Sequence, residues 1–126
     1  MKKMILPFTI FGIMLIGIFF ATNYTIKTCD YLLNLTTETE ETIAFEKWDD
    51  AYVNSLKLLT DYEDSIKLIS LFSEHQHLDN VYVEILKLTQ YVNEKDKTHS
   101  LSSVHSIKGL IKSMKDEESI TLRNIF

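Results

Sequence analysis

The chain has one cysteine, one proline and three glycines in 126 residues. A lone thiol excludes an internal disulfide and any zinc cage built on several cysteines. Cys29 leaves one bridge open, a homo-dimer joined between two copies of the chain; the competing reading is a small residue on a helix near the membrane. The single proline is Pro7, so residues 8 to 126 contain no helix-breaking ring and long helices are expected. Strand signals are equally scarce, because the β-branched residues never gather into an alternating run bounded by a glycine-rich turn. Acidic charge is missing from the start of the chain: all 18 Asp and Glu lie beyond position 29, and only Lys2 and Lys3 precede a long apolar run. The part after Thr22 therefore carries 11 basic against 18 acidic side chains. Such a surface repels nucleic acid and anionic lipid headgroups, and no nucleic-acid partner is expected.

What is present begins with Met4 to Ala21, a stretch with no charged residue. As a helix it spans about 27 Å, close to the thickness of a bilayer's hydrocarbon core. Its one clearly polar side chain, Thr9, can back-bond to the helix, and Gly12 and Gly17 suit a membrane helix. A cleavable signal peptide, leaving a secreted domain, is the alternative. Cleavage after Ala21 would place the bulky Phe19 where a small residue is wanted, and the apolar run exceeds a normal signal core. A lipoprotein reading fails because Ile26-Lys27-Thr28 precedes Cys29. With Lys2 and Lys3 before the span, the N-terminus is expected in the cytoplasm and the acidic remainder outside.

The expected organisation is a membrane anchor over 1-22, a stalk helix over 23-46 and an extracytoplasmic helical domain over 47-126. Between Asn23 and Glu46 the apolar residues are sparse. Lys47-Trp48-Asp49-Asp50-Ala51 reads as a turn into a new helix, with both aspartates at the positive end of its dipole. Ala51, Ser55, Leu58, Tyr62, Ile66, Ile69 and Phe72 or Ser73 then share one face. Thr60 and Glu63 have the form of a capping box, so the helix from about Asp49 to Ser73 either runs through or breaks near Thr60. After a break near Glu74 to Leu78, the stripe Leu78, Val81, Ile85, Leu88 and Val92 ends in the polar loop 93–97. A last helix from about His99 to Lys115 shows Leu101, Val104, Ile107, Ile111 and Met114, and the tail Ile120, Leu122, Ile125, Phe126 is expected to dock on the domain. Stripes that cannot be buried singly must pack together, so the fold class is all-α: a transmembrane helix followed by a small antiparallel helical bundle or stacked helical hairpins.

Chemistry is thin. His75, His77 and Asp79 are the weak candidates for a metal; on a helix His75 and His77 point about 200° apart, whereas in a turn they would converge. The competing reading is a local His75–Asp79 hydrogen bond. The carboxylate runs sit at helix starts and exposed ends, and the serines at 100, 102, 103 and 106 lack a nucleophile elbow. No enzyme and no cofactor are expected, since no nucleophile, base and oxyanion donor assemble. Trp48, Tyr52, Tyr62, Tyr82 and Tyr91 read either as a ligand-stacking surface or as half-buried bundle aromatics. Asn23-Tyr24-Thr25 and Asn34-Leu35-Thr36 match the glycosylation sequon, a motif short enough to arise by chance.

Taken in order, Trp48-Asp49-Asp50-Ala51, the aromatic Tyr62, Leu71-Phe72-Ser73-Glu74-His75, Leu78-Asp79-Asn80-Val81, Leu88 to Tyr91, Asp96 and Asn124-Ile125-Phe126 resemble the bacterial domain-of-unknown-function family 4363. Tyr62 stands where the resemblance implies a tryptophan. Those proteins are short and singly anchored, so the resemblance implies an envelope location and no mechanism. The expected function is an interaction or scaffold role in the envelope with an unknown protein partner. The alternative is a module that binds or senses a small ligand or cation.

Overall fold

A computed structural model describes residues 2–71 and 73–125. Four helices account for nearly all of them: α1 (Lys2–Ala44), α2 (Trp48–Ile69), α3 (His75–Asn93) and α4 (Lys97–Ile125). Consecutive helices pack side by side and α4 returns to α1, closing an up-and-down antiparallel bundle. The alternative of stacked hairpins is thereby resolved in favour of the bundle.

The inner face of each helix advances in alternating steps of three and four, the spacing that keeps a seam turned toward neighbours in near-parallel packing. On α3 the seam is Leu78, Val81, Ile85, Leu88 and Val92, all buried as the periodicity predicts. On α2 it is Ala51, Ser55, Leu58, Tyr62 and Ile69, with Ile66 packed partly against them; Phe72 lies outside the described residues. No break occurs at Thr60, whose hydroxyl donates to the Leu56 carbonyl at 3.0 Å inside a continuous helix instead of capping a new one. On α4 the seam runs Ser100, Val104, Ile107, Ile111 and Met114, with Leu101 half-buried beside it.

The segment from Asn23 to Ala44, expected as a stalk, is a full wall of the bundle. Thr22, Thr25, Cys29, Leu32, Thr36, Thr39 and Ile43 follow one another at the same three-four spacing, and all are buried. Thr25, Thr36 and Thr39 donate their hydroxyls to the carbonyls of Ala21, Leu32 and Leu35, at 3.0, 2.7 and 2.8 Å. Each polar atom is thus satisfied within its own helix, and the methyl groups are left for packing. Both sequons therefore sit inside α1, with their threonines buried. The Tyr31 hydroxyl donates to Asp61 at 2.6 Å, Lys115 meets Asp30 at 2.6 Å and Lys108 meets Glu40 at 2.9 Å, which fixes α1 against α2 and α4.

Toward its N-terminus α1 leaves the bundle. It is the one helix among the described residues long and apolar enough to cross a membrane, and its most apolar stretch is entirely unburied. The Thr9 hydroxyl donates to the Ile5 carbonyl at 2.8 Å, so it presents no unsatisfied donor to an apolar medium.

Helix ends explain the remaining differences from expectation. After α1, Lys47 N–H reaches the Thr42 carbonyl and Glu46 N–H the Ile43 carbonyl, and Glu46 has φ 58°. After α3, Asp96 N–H reaches Tyr91, Lys95 N–H reaches Val92, and Lys95 has φ 59°. Both are Schellman turns, which normally place glycine at the left-handed position. Asp96 then caps α4 by accepting from the His99 backbone N–H at 3.1 Å and pairing with the His99 ring at 2.7 Å. At its other end α4 does not stop near Lys115. Residues 116–125 hold neither glycine nor proline, so the helix continues through Asp116-Glu117-Glu118 to Ile125. The tail is therefore part of α4 and meets the bundle on one side only, where Leu122 is half-buried; Ile120 and Ile125 are exposed, and Phe126 lies outside the described residues.

Two stability predictions arise from these turns and seams. Glu46→Gly and Lys95→Gly should each raise the thermal midpoint of the full-length protein in detergent by about 2 to 5 °C, because the left-handed backbone no longer crowds a Cβ; an unchanged or lower midpoint for both would count against the turn assignment. Ser100, whose buried Oγ has no hydrogen-bond partner, should become a gain on mutation: Ser100→Ala is expected to stabilise by about 1 kcal/mol in a denaturant titration.

Candidate functional site

Three surfaces have enough shape or charge to be considered. The first is the end of the bundle nearest the apolar segment. There α3 begins and α4 passes with its acidic run. Thr25, Ser73, Glu74, His77, Met114, Glu117, Glu118 and Thr121 line a cleft of 160 Å³. His77 Nε2 lies 3.4 Å from Glu74 and its Nδ1 3.8 Å from Glu117. Ser73 donates to Glu118 at 3.5 Å, a long and weak bond. Burial lifts the Glu118 carboxyl above the ordinary carboxylate range, the Ser73 bond partly opposes this, and the neighbouring Glu117 charge adds to the lift.

The proposed trio His75, His77 and Asp79 is not brought together. All three lie in the first turns of α3, not in a turn where they would converge. His75 and Asp79 are exposed on the helix surface while His77 points toward Glu117 of α4. Among the described residues no hydrogen bond joins His75 to Asp79, and no three His, Cys, Asp or Glu side chains are placed to share a metal ion. His99 is occupied as a partner of the Asp96 cap and packs on Tyr91, with ring centroids 5.1 Å apart.

The second surface is the opposite, distal end. Trp48, Asp49, Tyr52, Val53, Val92, Asn93 and Lys95 line a cleft of 330 Å³, with Phe45 exposed on the adjoining turn. Only part of the aromatic set gathers here. Tyr62 is instead a core residue whose hydroxyl donates to the Leu78 carbonyl at 2.6 Å, and Tyr82 is half-buried against the core. Phe45 was not singled out from sequence; its place beside the Trp48 turn was the available signal.

The third surface is a broad groove of 720 Å³ between α3 and α4, lined by Asn80, Val83, Glu84, Lys87, Ser106, Gly109, Leu110 and Ser113. A Cβ added at Gly109 would meet nothing within 4 Å, so the groove is open above it. Of the serines weighed as nucleophiles, Ser106 opens onto this groove, and Ser103 donates to the Glu84 carbonyl at 3.0 Å and lies 3.3 Å from its carboxylate.

Cys29 is sealed on the inner face of α1 at 1% exposure. Burial, followed by the charges of Asp30 and Glu118, pushes its thiol up to about 12, so it stays protonated and unreactive at neutral pH. A bridge between two copies through Cys29 would require the bundle to open, which removes the physical basis for that dimer.

The Glu118 environment sets a pH prediction. A carboxyl whose value is raised on folding binds its proton more tightly in the native state, so its contribution is fully present below the unfolded-state value and is lost as pH rises through the folded value. Glu118→Gln should therefore melt about 1 to 3 °C higher than the parent at pH 7, with the gap closing below about pH 4. A gap that is constant across this range would remove the titration argument.

A family model described as a domain of unknown function (DUF4363) matches residues 19–125. No curated protein and no solved structure matches the chain. Since the match runs from the last turn of the apolar segment to the end of α4, the chain belongs to the DUF4363 family.

Proposed function

We propose that this protein is a single-pass membrane protein that holds a four-helix bundle on the outer face of the cytoplasmic membrane and acts there as an interaction or scaffold protein. The observation that carries the reading is the continuity of α1. One helix of 43 residues supplies both the unburied apolar stretch and a wall of the bundle. A signal peptide needs a separable, extended cleavage region after its apolar core; here residues 19–25 are helical, and Thr22 and Thr25 are already buried in the bundle. Lys2 and Lys3 ahead of the span favour a cytoplasmic N-terminus.

The distal end is the surface that suits a protein partner in the envelope. It projects farthest from the membrane and exposes Phe45, Tyr52 and Val53 next to Trp48. Aromatic side chains of this kind carry much of the binding energy at protein interfaces. Recognition would rest on shape and charge, without a chemical step.

A C-terminally tagged full-length protein, expressed in intact cells, tests the topology. It should sediment with membranes at full length and lose its tag to protease added outside. A shortened protein in the medium would replace the anchor with a cleaved signal, and a tag protected until the cells are lysed would reverse the orientation.

A further inference from the structure

We infer that the lower rim of the bundle seats in the headgroup layer of the same bilayer that α1 crosses, so that Leu68 and Leu71 at the end of α2 and Ile120 and Ile125 at the end of α4 are membrane contacts in their own right. The inference rests on the anchored reading of α1 and adds a second lipid-binding surface to it.

The argument is one of register. Tyr31 is bonded to Asp61, and antiparallel helices advance in step, so ten residues toward the membrane on α1 and ten onward from Asp61 bring Ala21 level with Leu71. On the other side, Thr25 and Thr121 line one cleft, and four further residues bring Ala21 level with Ile125. Ala21 is the last residue of the apolar run, before Thr22 and Asn23. The two chain segments that end or turn at that level therefore meet the bilayer surface.

Both present apolar side chains where an aqueous rim would be polar. Leu71 is 77% exposed and Ile125 43%, while Leu68 at 46% and Ile120 at 52% lie roughly 5 to 8 Å farther out by the helical rise. The headgroup layer is about 5 to 7 Å deep on each side, so all four fall in or at the edge of it. Tyr24, partly exposed on α1, sits at the same level, where aromatic rings favour the interface.

Charge follows the same partition. At the depth of the headgroups the described ionic side chains are Lys67, which also lies 3.8 Å from Asp64, and Arg123, both suited to lipid phosphate; Lys27 and the acid Glu74, which pairs with His77, follow next. The acids Asp30, Asp64, Glu117 and Glu118 begin roughly 10 Å out, beyond the headgroups. Cations below and acids above is the order a surface resting on phosphates requires.

The test uses the full-length protein in phosphatidylcholine vesicles containing lipids brominated along the acyl chain, which quench a nearby fluorophore. Single-cysteine labelling is practical because the parent's only thiol, Cys29, is buried. The labelled variants are Ile10→Cys in the apolar segment, Leu71→Cys and Ile125→Cys on the rim, and Phe45→Cys at the distal end, all exposed positions. The expected result is strong quenching at 10, a loss at 71 and 125 of about half that size, and none at 45. Quenching at 10 with 71 and 125 as bright as 45 would overturn the seated rim while leaving the anchor intact. No quenching at 10 would overturn the anchor itself, and the rim contact with it.

Discussion

The fold depends on a single constraint, that one uninterrupted helix carries two kinds of surface. The first part of α1 carries an apolar surface all round, whereas from Thr22 onward it carries a narrow inner seam and a polar back. No hinge residue lies between them: Gly12 and Gly17 precede the change, and no glycine follows until Gly109. A helix without a break transmits orientation, so the tilt of the apolar part and the tilt of the bundle are one quantity. Helices α2 and α4 then take their height from α1 through the bonds at Tyr31, Asp30 and Glu40, and α3 takes its own from α2 and α4.

Those bonds work more as register marks than as sources of stability. Lys115 and Asp30 are substantially exposed, and exposed ion pairs contribute little once screening and side-chain entropy are counted. The Lys108–Glu40 pair is more enclosed. What holds α1 in place is the seam. Burying even modest side chains at seven successive positions removes apolar area at about 25 cal/mol per Å², and the hydroxyls of Thr25, Thr36 and Thr39 impose no penalty because each finds a carbonyl one turn back. The ion pairs choose which of several neighbouring registers that seam adopts.

The same threonines explain how much was legible in the sequence. Helices α2 and α3 were readable because Leu, Ile and Val mark their seams. Helix α1 beyond its apolar stretch has an equally strict three-four spacing, but four of its seven positions are threonine and one is cysteine. A hydrophobicity pattern does not see a threonine whose hydroxyl is consumed by its own helix. Both distal turns lie where the Trp48-Asp49-Asp50-Ala51 start and the polar run 93–97 put them, although Glu46 and Lys95 hold the left-handed positions where glycine is usual. The boundary that differs is the end of α4, which runs past Lys115 to Ile125. At the candidate sites, the spacing of His75 and His77 already argued against convergence on a helix, and α3 begins early enough to make that argument decisive. The His77–Glu117 approach and the α3–α4 groove needed the return path of α4, which no local pattern supplies.

The two ends of the bundle are built differently, and the difference bears on how such a protein divides its labour. At the distal end two Schellman turns, the Asp96 cap and the Lys97–Glu46 contact at 3.8 Å hold adjoining loops in defined shapes. A surface meant for a specific partner gains from that, because less entropy is lost on binding when the contact residues are already ordered. The end near the apolar stretch of α1 exposes Leu68, Leu71, Ile120 and Ile125, with Lys67 and Arg123 close by. Under the proposed reading that end would meet a bilayer, a fluid partner that demands no exact shape, only apolar surface at the right depth and charge of the right sign. Precise backbone geometry at one end and coarse chemical layering at the other are what that proposal asks of one rigid body.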